Sequence, residues 1–386
     1  MKPARDASLD MFKGLCMGLI ILVHVLGRSL PPAFCAWANS FKLIGFFVVS
    51  GYLLSLRDPL SGSGGLAGAL RHRGASLMLP YAFFSALVLL ITPALRTSTL
   101  AAATGYFNAV AANTVTLRGQ STLWFLPVLF IAEALLLLAL AGERRLRTVR
   151  FHWPVVLAAV LSLVASWVLS PLAAPYVRLP PNQQIVGRLV LPWLRALPAC
   201  AALAVGYLLY GPLLARCRNR FVRPAMALLL LLSGWALARC LPGGVDWNND
   251  VYGGNLAVFL VSGVATSFGF MLLFGSVPPW LGRPVLGFLG VNSLVLMATH
   301  LALPLIELSR KVVSAVLHWM GTAAGYSEQH ALAFGLFVFV TLLLLELPVI
   351  AFFNFTPLGL LIGRRPRRQS DSGNEEKESP HEDGRV

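Results

Sequence analysis

Acidic residues are scarce in this chain. Its 386 residues hold 16 Asp and Glu against 31 Lys and Arg, and charged side chains make up 12% of the total against 57% hydrophobic. So little charge cannot solvate the surface of a soluble domain of this size, which excludes an ordinary water-soluble enzyme. Cysteine is also rare. The five residues Cys16, Cys35, Cys200, Cys217 and Cys240 are scattered, with no CxxC pair and no metal-ligand spacing, so they read as small apolar side chains and no metal is expected. No HExxH, GxSxG, P-loop or dinucleotide-binding glycine pattern is present, which removes the common soluble hydrolase and nucleotide-binding classes. No internal repeat is visible, and this counts against an inverted-repeat transporter.

What the chain does have is long apolar runs separated by short basic or Pro/Gly-rich breaks, the pattern of an all-α polytopic membrane protein. Ten spans are expected, at roughly 9–28, 41–56, 78–95, 123–141, 152–172, 190–212, 223–241, 251–275, 284–306 and 331–356. The second, the shortest, is the weakest. The first lacks a small-residue cleavage site before polar sequence and reads as a retained helix.

The net charge of +15 would suggest nucleic acid in a soluble protein. Here the cations cluster at helix ends, so topology accounts for them and no nucleic-acid partner is expected. With the N-terminus in the cytoplasm, 18 of the 31 Lys and Arg fall in inside segments and 8 outside. That bias favours both termini inside and a multi-pass protein of a bacterial inner membrane. The outward loops 96–122, 173–189 and 307–330 are longer than most inward ones and offer room to hold a large external substrate. Residues 1–363 form one membrane-embedded domain. The tail 364–386 is polar, reads as disordered, and carries an Arg cluster suited to anionic lipid headgroups.

Ionisable residues within a bilayer are costly and point to function. The candidates are Lys13, His24, Glu133, Arg195, Arg239, His300, Glu307 and Glu346. Snorkelling explains those near helix ends, Arg239 above all. Lys13 and His24 are eleven positions apart, about three helical turns and roughly 16 Å, on nearly the same face. His24 lies past the middle of its helix among apolar neighbours. It serves either as a proton acceptor or simply as a hydrogen-bond partner to another helix. His300 falls at a similar depth in the ninth span, so the two histidines are placed to flank one site. Arg71, His72 and Arg73 precede the third span. They either hold the loop inside or, with Lys13, form an anionic phosphate site from which a thin arm could reach His24.

At these residues the chain resembles the integral-membrane acyltransferase family 3, especially its fucose 4-O-acetylase-like branch. The stretch LDMFKGLCMGLIILVHV, with Lys13 and His24, is similar to the family's first helix. GFFVVSGYLL with Ser50 and Gly51, LMLPYAFFS with Pro80 and Tyr81, STLWFLPVLFIAEALL with Trp124 and Phe125, and LGVNSLVLMATH with Asn292, Ser293 and His300 follow in family order. Each match is short, but together they run from about residue 5 to 363. The resemblance implies transfer of an acyl group, usually acetyl, from cytoplasmic acetyl-CoA to a hydroxyl of a glycan outside the membrane. It implies His24 as the essential histidine and Lys13 as part of the donor site. The family often has two arginines spaced RxxR before the third helix. Here Arg71 and Arg73 are spaced RxR, which leaves open which one carries the family's role.

The resulting expectation is a membrane O-acetyltransferase with catalytic His24 acting as base or as transient acyl carrier. Lys13, Arg71 and Arg73 bind the acetyl-CoA donor, and His300, Trp124, Asn255 and Glu307 orient a glycan or lipid-linked sugar acceptor. The rivals are a glycan or lipid flippase, the same fold using succinyl-CoA with Arg195 as the extra cation, and a non-enzymatic receptor.

Overall fold

A chain crossing hydrocarbon must satisfy its backbone hydrogen bonds internally, and a helix does so within one segment. The computed structural model describes residues 6–27, 29–62, 64–96, 99–146, 152–177, 185–241, 243–321 and 329–362. The predicted tail 364–386 lies outside them. The described residues are almost entirely helical: α1 (Ala7–Leu26), α2 (Pro32–Phe41), α3 (Ile44–Ser55), α4 (Gly65–Arg96), α5 (Leu100–Val115), α6 (Phe125–Leu146), α7 (Trp153–Val177), α8 (Ile185–Arg216), α9 (Val222–Ala238), α10 (Leu256–Phe274), α11 (Phe288–Val291), α12 (Ser293–Thr299), α13 (Leu305–Trp319) and α14 (Ala331–Phe355). Eight stretches among the described residues are long and apolar enough to cross a membrane, and α9 is a shorter apolar helix of 17 residues. The chain is an all-α polytopic membrane protein.

Three expected segments differ in form. The second span is longer than 41–56, because α2 and α3 together make one stretch, Pro32–Ser55. They are separated only at Lys42 and Leu43, which keep right-handed helical dihedrals. Phe46 N–H bonds back to Leu43 rather than to Lys42, so the helix slips register without turning back. The ninth segment, 284–306, is not one helix. It is a π-helical turn at Arg283–Gly287, then α11, a break at Asn292, α12, and irregular chain to α13. The Asn292 side-chain amide donates to Phe288 O at 2.8 Å, covering a carbonyl at the break. The regions 96–122 and 307–330 are not simple loops, since α5 and α13 occupy much of them.

The helix carrying Lys13 and His24 is central. Asp6 caps α1 by accepting from Ser8 N–H at 2.9 Å, which satisfies one of the unpaired first-turn donors. The helix packs against α3, α10, α11 and α14. Its crossing with α11 is backbone to backbone. A Cβ on Gly14 would lie 1.8 Å from Leu286 O, and one on Gly290 1.8 Å from Asp10 O. Only glycine permits that approach, and it fixes the depth and rotation of α1 in the bundle. α7, by contrast, turns Leu157, Val160, Leu161, Val164 and Trp167 outward, as a lipid-facing helix should.

Candidate functional site

Two cavities lie at opposite ends of α1. At the first end are the start of α1, the end of α3, the start of α4 and the segment between them. At the second are the end of α1, the Lys42–Leu43 slip, the start of α6 and a hairpin before α10. Lys13 lines the first cavity and His24 the second, as an eleven-residue spacing on one uninterrupted helix requires.

His24 is exposed to its cavity, whereas His300 is fully buried behind it. Their rings stack with centroids 5.2 Å apart and 19° between planes. His24 Nδ1 lies 3.0 Å from His300 Nε2, and His300 Nδ1 lies 2.6 Å from Leu296 O. A carbonyl only accepts, so in the neutral pair His300 Nδ1 carries the hydrogen and Nε2 is the acceptor. His24 Nδ1–H then donates to it. This chain leaves the lone pair of His24 on Nε2, free to take a proton. Thr299, beside His300, donates to Glu346 Oε2 at 2.8 Å and ties α12 to α14.

The His24 cavity measures about 110 Å³ and is lined by Asn39, Lys42, Thr122, Trp124, Asp246, Asn248 and several apolar side chains. Its wall is a small hairpin in which Val245–Asp246 pairs antiparallel with Val251–Tyr252 around a 3₁₀ tip at Trp247–Asn249. Trp247 is the hairpin's anchor. It is 2% exposed, lies 5.1 Å from Phe47 and 5.5 Å from Phe259 ring to ring, and donates from Nε1 to Arg195 O at 3.3 Å. Arg195 clamps the wall from behind. Its guanidinium donates to Arg118 O at 2.9 Å, to Asn248 Oδ1 at 2.9 Å and to Asn248 O, and it sits 4.9 Å from the Trp124 ring centre. At the far side of the tip, Tyr252 donates to Asp250 Oδ1 at 2.6 Å, while burial pushes the Asp250 carboxyl above the usual carboxylate range.

The Lys13 cavity is larger, about 630 Å³. Lys13 Nζ pairs with Asp10 at 2.7 Å. Arg57, His72 and Arg73 share the lining with Gly62, Gly64, Gly65 and Gly68, at the point where α4 begins. Arg73 Nε is 3.6 Å from the buried Glu133 carboxylate. Glycines at a helix start, together with several cations, suit a phosphorylated ligand. An ion pair between Arg144 and Asp58, with Arg144 also donating to Leu60 O at 2.7 Å, pins the segment leading into α4.

The structure sorts the predicted residues. It brings His24 and Trp124 together at one cavity, with His300 stacked behind His24, and Lys13 and Arg73 at the other. Arg71 is exposed and does not line the Lys13 cavity. Asn255 is not at the His24 cavity: it caps α10, its Oδ1 accepting from Val258 N–H at 3.0 Å. Glu307 is an exposed first-turn residue of α13, also outside it. Arg239 ends α9. Lys42, Asp246 and Asn248 also line the His24 cavity and do not stand out in the sequence. An apolar run broken by a lone lysine is the one sequence signal for the first.

The fold and the site together are a helical membrane bundle with a histidine pair at one cavity and a cationic cavity at the other. The family described as "Acyltransferase domain" matches residues 6–352. The chain belongs to that acyltransferase family, and it is a membrane acyltransferase. Neither the curated proteins nor the solved structures give a match.

Proposed function

We propose that this acyltransferase moves an acetyl group from cytoplasmic acetyl-CoA to a hydroxyl of an extracytoplasmic or lipid-linked glycan, in a bacterial inner membrane. The observation that carries the reading is the free Nε2 of His24, oriented by His300, at the opposite end of α1 from Lys13 and Arg73. The Lys13 end is the cytoplasmic face, in keeping with its positive loops. There Lys13, Arg57 and Arg73 and the start of α4 hold the CoA phosphates. His24 Nε2 takes the proton of the acceptor hydroxyl as that oxygen attacks the thioester carbonyl. Trp124 and Trp247 supply apolar ring faces, and Asn39, Asp246 and Asn248 the polar groups, for a sugar acceptor.

The Arg195 guanidinium is turned to the Arg118 and Asn248 oxygens and does not line the His24 cavity, which favours an acetyl over a succinyl donor. The test is mass spectrometry of surface glycans from cells with and without the gene. The mass of one acetyl group, lost on deletion and restored by the wild-type chain but not by His24→Ala, is the expected result. Unchanged acetylation on deletion would overturn the reading, and so would glycan movement that consumes no acetyl-CoA.

A further inference from the structure

Lys42 is the unexplained charge of this bundle. It sits at the register slip between α2 and α3, is 7% exposed, and lines the same cavity as His24. Among the described residues its ammonium has no salt bridge within 4.0 Å and no side-chain hydrogen bond, and the carboxylate whose charge reaches it is Asp246, in the same cavity. A cation taken out of water without a hydrogen-bonded partner is costly. A bundle that tolerates the cost at one cavity-lining position has placed positive charge where a negative one arrives. Two anions would fit: an acidic group on the acceptor or acyl chain, or the oxyanion formed during transfer. The cavity also contains the Asp246 carboxylate: an acidic ligand would add a net negative charge beside it, whereas the oxyanion forms together with the His24 imidazolium and leaves the total charge of the cavity unchanged.

Resting on the acyl-transfer reading above, we propose that Lys42 stabilises the oxyanion of the tetrahedral intermediate. The acceptor oxygen bonds to the thioester carbon, its proton passes to His24 Nε2, and the carbonyl electron pair moves onto oxygen beside the Lys42 ammonium. The carbonyl then re-forms, the carbon–sulfur bond breaks, and the CoA thiolate leaves and takes the proton from His24. Lys42 keeps its protons throughout. Its contribution is electrostatic and grows only as the charge develops.

The test uses the full chain in membrane vesicles, acetyl-CoA labelled in the acetyl group, and the glycan and lipid fraction of those membranes as acceptor. His24→Ala is the inactive control. Lys42→Met is expected to lower the maximal rate about 10²-fold or more, with the half-saturating acetyl-CoA concentration within about twofold of wild type. Lys42→Arg keeps the charge and should stay within about tenfold. Lys42→Cys, measured before and after aminoethylation with 2-bromoethylamine against an equally treated wild type, restores an ammonium in an already folded protein. Its activity should return, and this comparison decides the matter if Lys42→Met does not fold. Near-wild-type turnover in Lys42→Met, or a loss confined to half-saturation, overturns the assignment. So does a wild-type preference for succinyl-CoA that Lys42→Met reverses, since Lys42 would then read a carboxylate. With His24→Ala inactive, the first two outcomes remove only the role of Lys42, and a succinyl preference also changes the acyl group of the reading above. A wild type that transfers no label removes the acyl-transfer reading and this inference together.

Discussion

His24 Nδ1 and His300 Nε2 are 3.0 Å apart across two helices, and the far nitrogen of His300 is anchored 2.6 Å from Leu296 O. Neither histidine alone fixes the tautomer of His24. The buried ring does so by using its own hydrogen on a carbonyl and offering only a lone pair to its neighbour. On the proposed acyl-transfer reading His300 is a positioning residue. His300→Ala should reduce acyl transfer by about 10²-fold, by analogy with losing the group that orients a catalytic histidine, with donor affinity unchanged. His300→Gln places an amide oxygen near the lost Nε2 and should recover part of the rate. Equal loss in both variants would point to packing instead.

Arg71 and Arg73 are two positions apart, which is about 200° around a helix. They cannot both face one cavity, and it is Arg73 that lines the Lys13 cavity. Arg73→Ala should raise the half-saturating acetyl-CoA concentration about tenfold or more, consistent with losing a charge-assisted contact. Arg71→Ala should change it by less than about threefold. Equilibrium binding of CoA itself to the purified protein checks this, and the opposite ranking would move the donor site.

How far the sequence reached follows from the length scale of each feature. A twenty-residue apolar helix with Lys13 and His24 on one stripe shows itself through period and length, and α1 has that form. The Lys42–Leu43 slip does not, because two residues that keep helical dihedrals leave no mark in an apolar run. Lys42 therefore reads from sequence as a topological charge outside the membrane. The hairpin at 245–252 has two-residue strands, too short for any alternation to register, so Trp247 looks like a loop residue although it is the wall's anchor. Asn255 and Glu307 look like site residues only by residue type, at the ends of apolar runs. Only coordinates separate a helix cap or an exposed helix start from a ligand-facing side chain.

Asn255 should matter to stability and not to chemistry. Its Oδ1 accepts from Val258 N–H at the start of α10. Asn255→Ala removes that cap and should cost about 1 kcal/mol, while Asn255→Asp or Asn255→Ser should cost little. Thermal unfolding in detergent measures the difference. A large drop in the acyl transfer rate at unchanged stability would instead place Asn255 at the acceptor.

The Asp250 carboxyl makes the hairpin sensitive to pH. Burial raises its folded pKa above the unfolded value, against the opposing effect of the Tyr252 hydroxyl. A group shifted this way contributes stability that is fully present below the unfolded pKa and is lost as pH rises through the folded one. Asp250→Asn keeps an oxygen for Tyr252 without the charge. It should therefore raise the unfolding temperature at neutral pH and lose that advantage when the measurement is repeated below the usual carboxylate range. An advantage that persists unchanged in acid would mean that charge is not its source.

Between the two cavities α1 is closed. Counting by helical steps from Lys13, Met17 and Ile20 complete the stripe that reaches His24, and Met17 is fully buried. An acyl arm entering beside Lys13 must pass this stripe to reach Nε2, so side chains there have to move during each turnover. Methionine, unbranched and flexible, is suited to yield without breaking the core. Met17→Trp fills the passage with a rigid ring. It should leave CoA binding at the Lys13 cavity within about twofold while lowering acyl transfer at least tenfold, a split that separates passage from binding. Met17→Leu, similar in volume, should remain near wild type. If Met17→Trp turned over normally with the protein folded, the donor would have to reach His24 by a route off this face of α1, and the alignment of Lys13 with His24 would lose its mechanistic meaning.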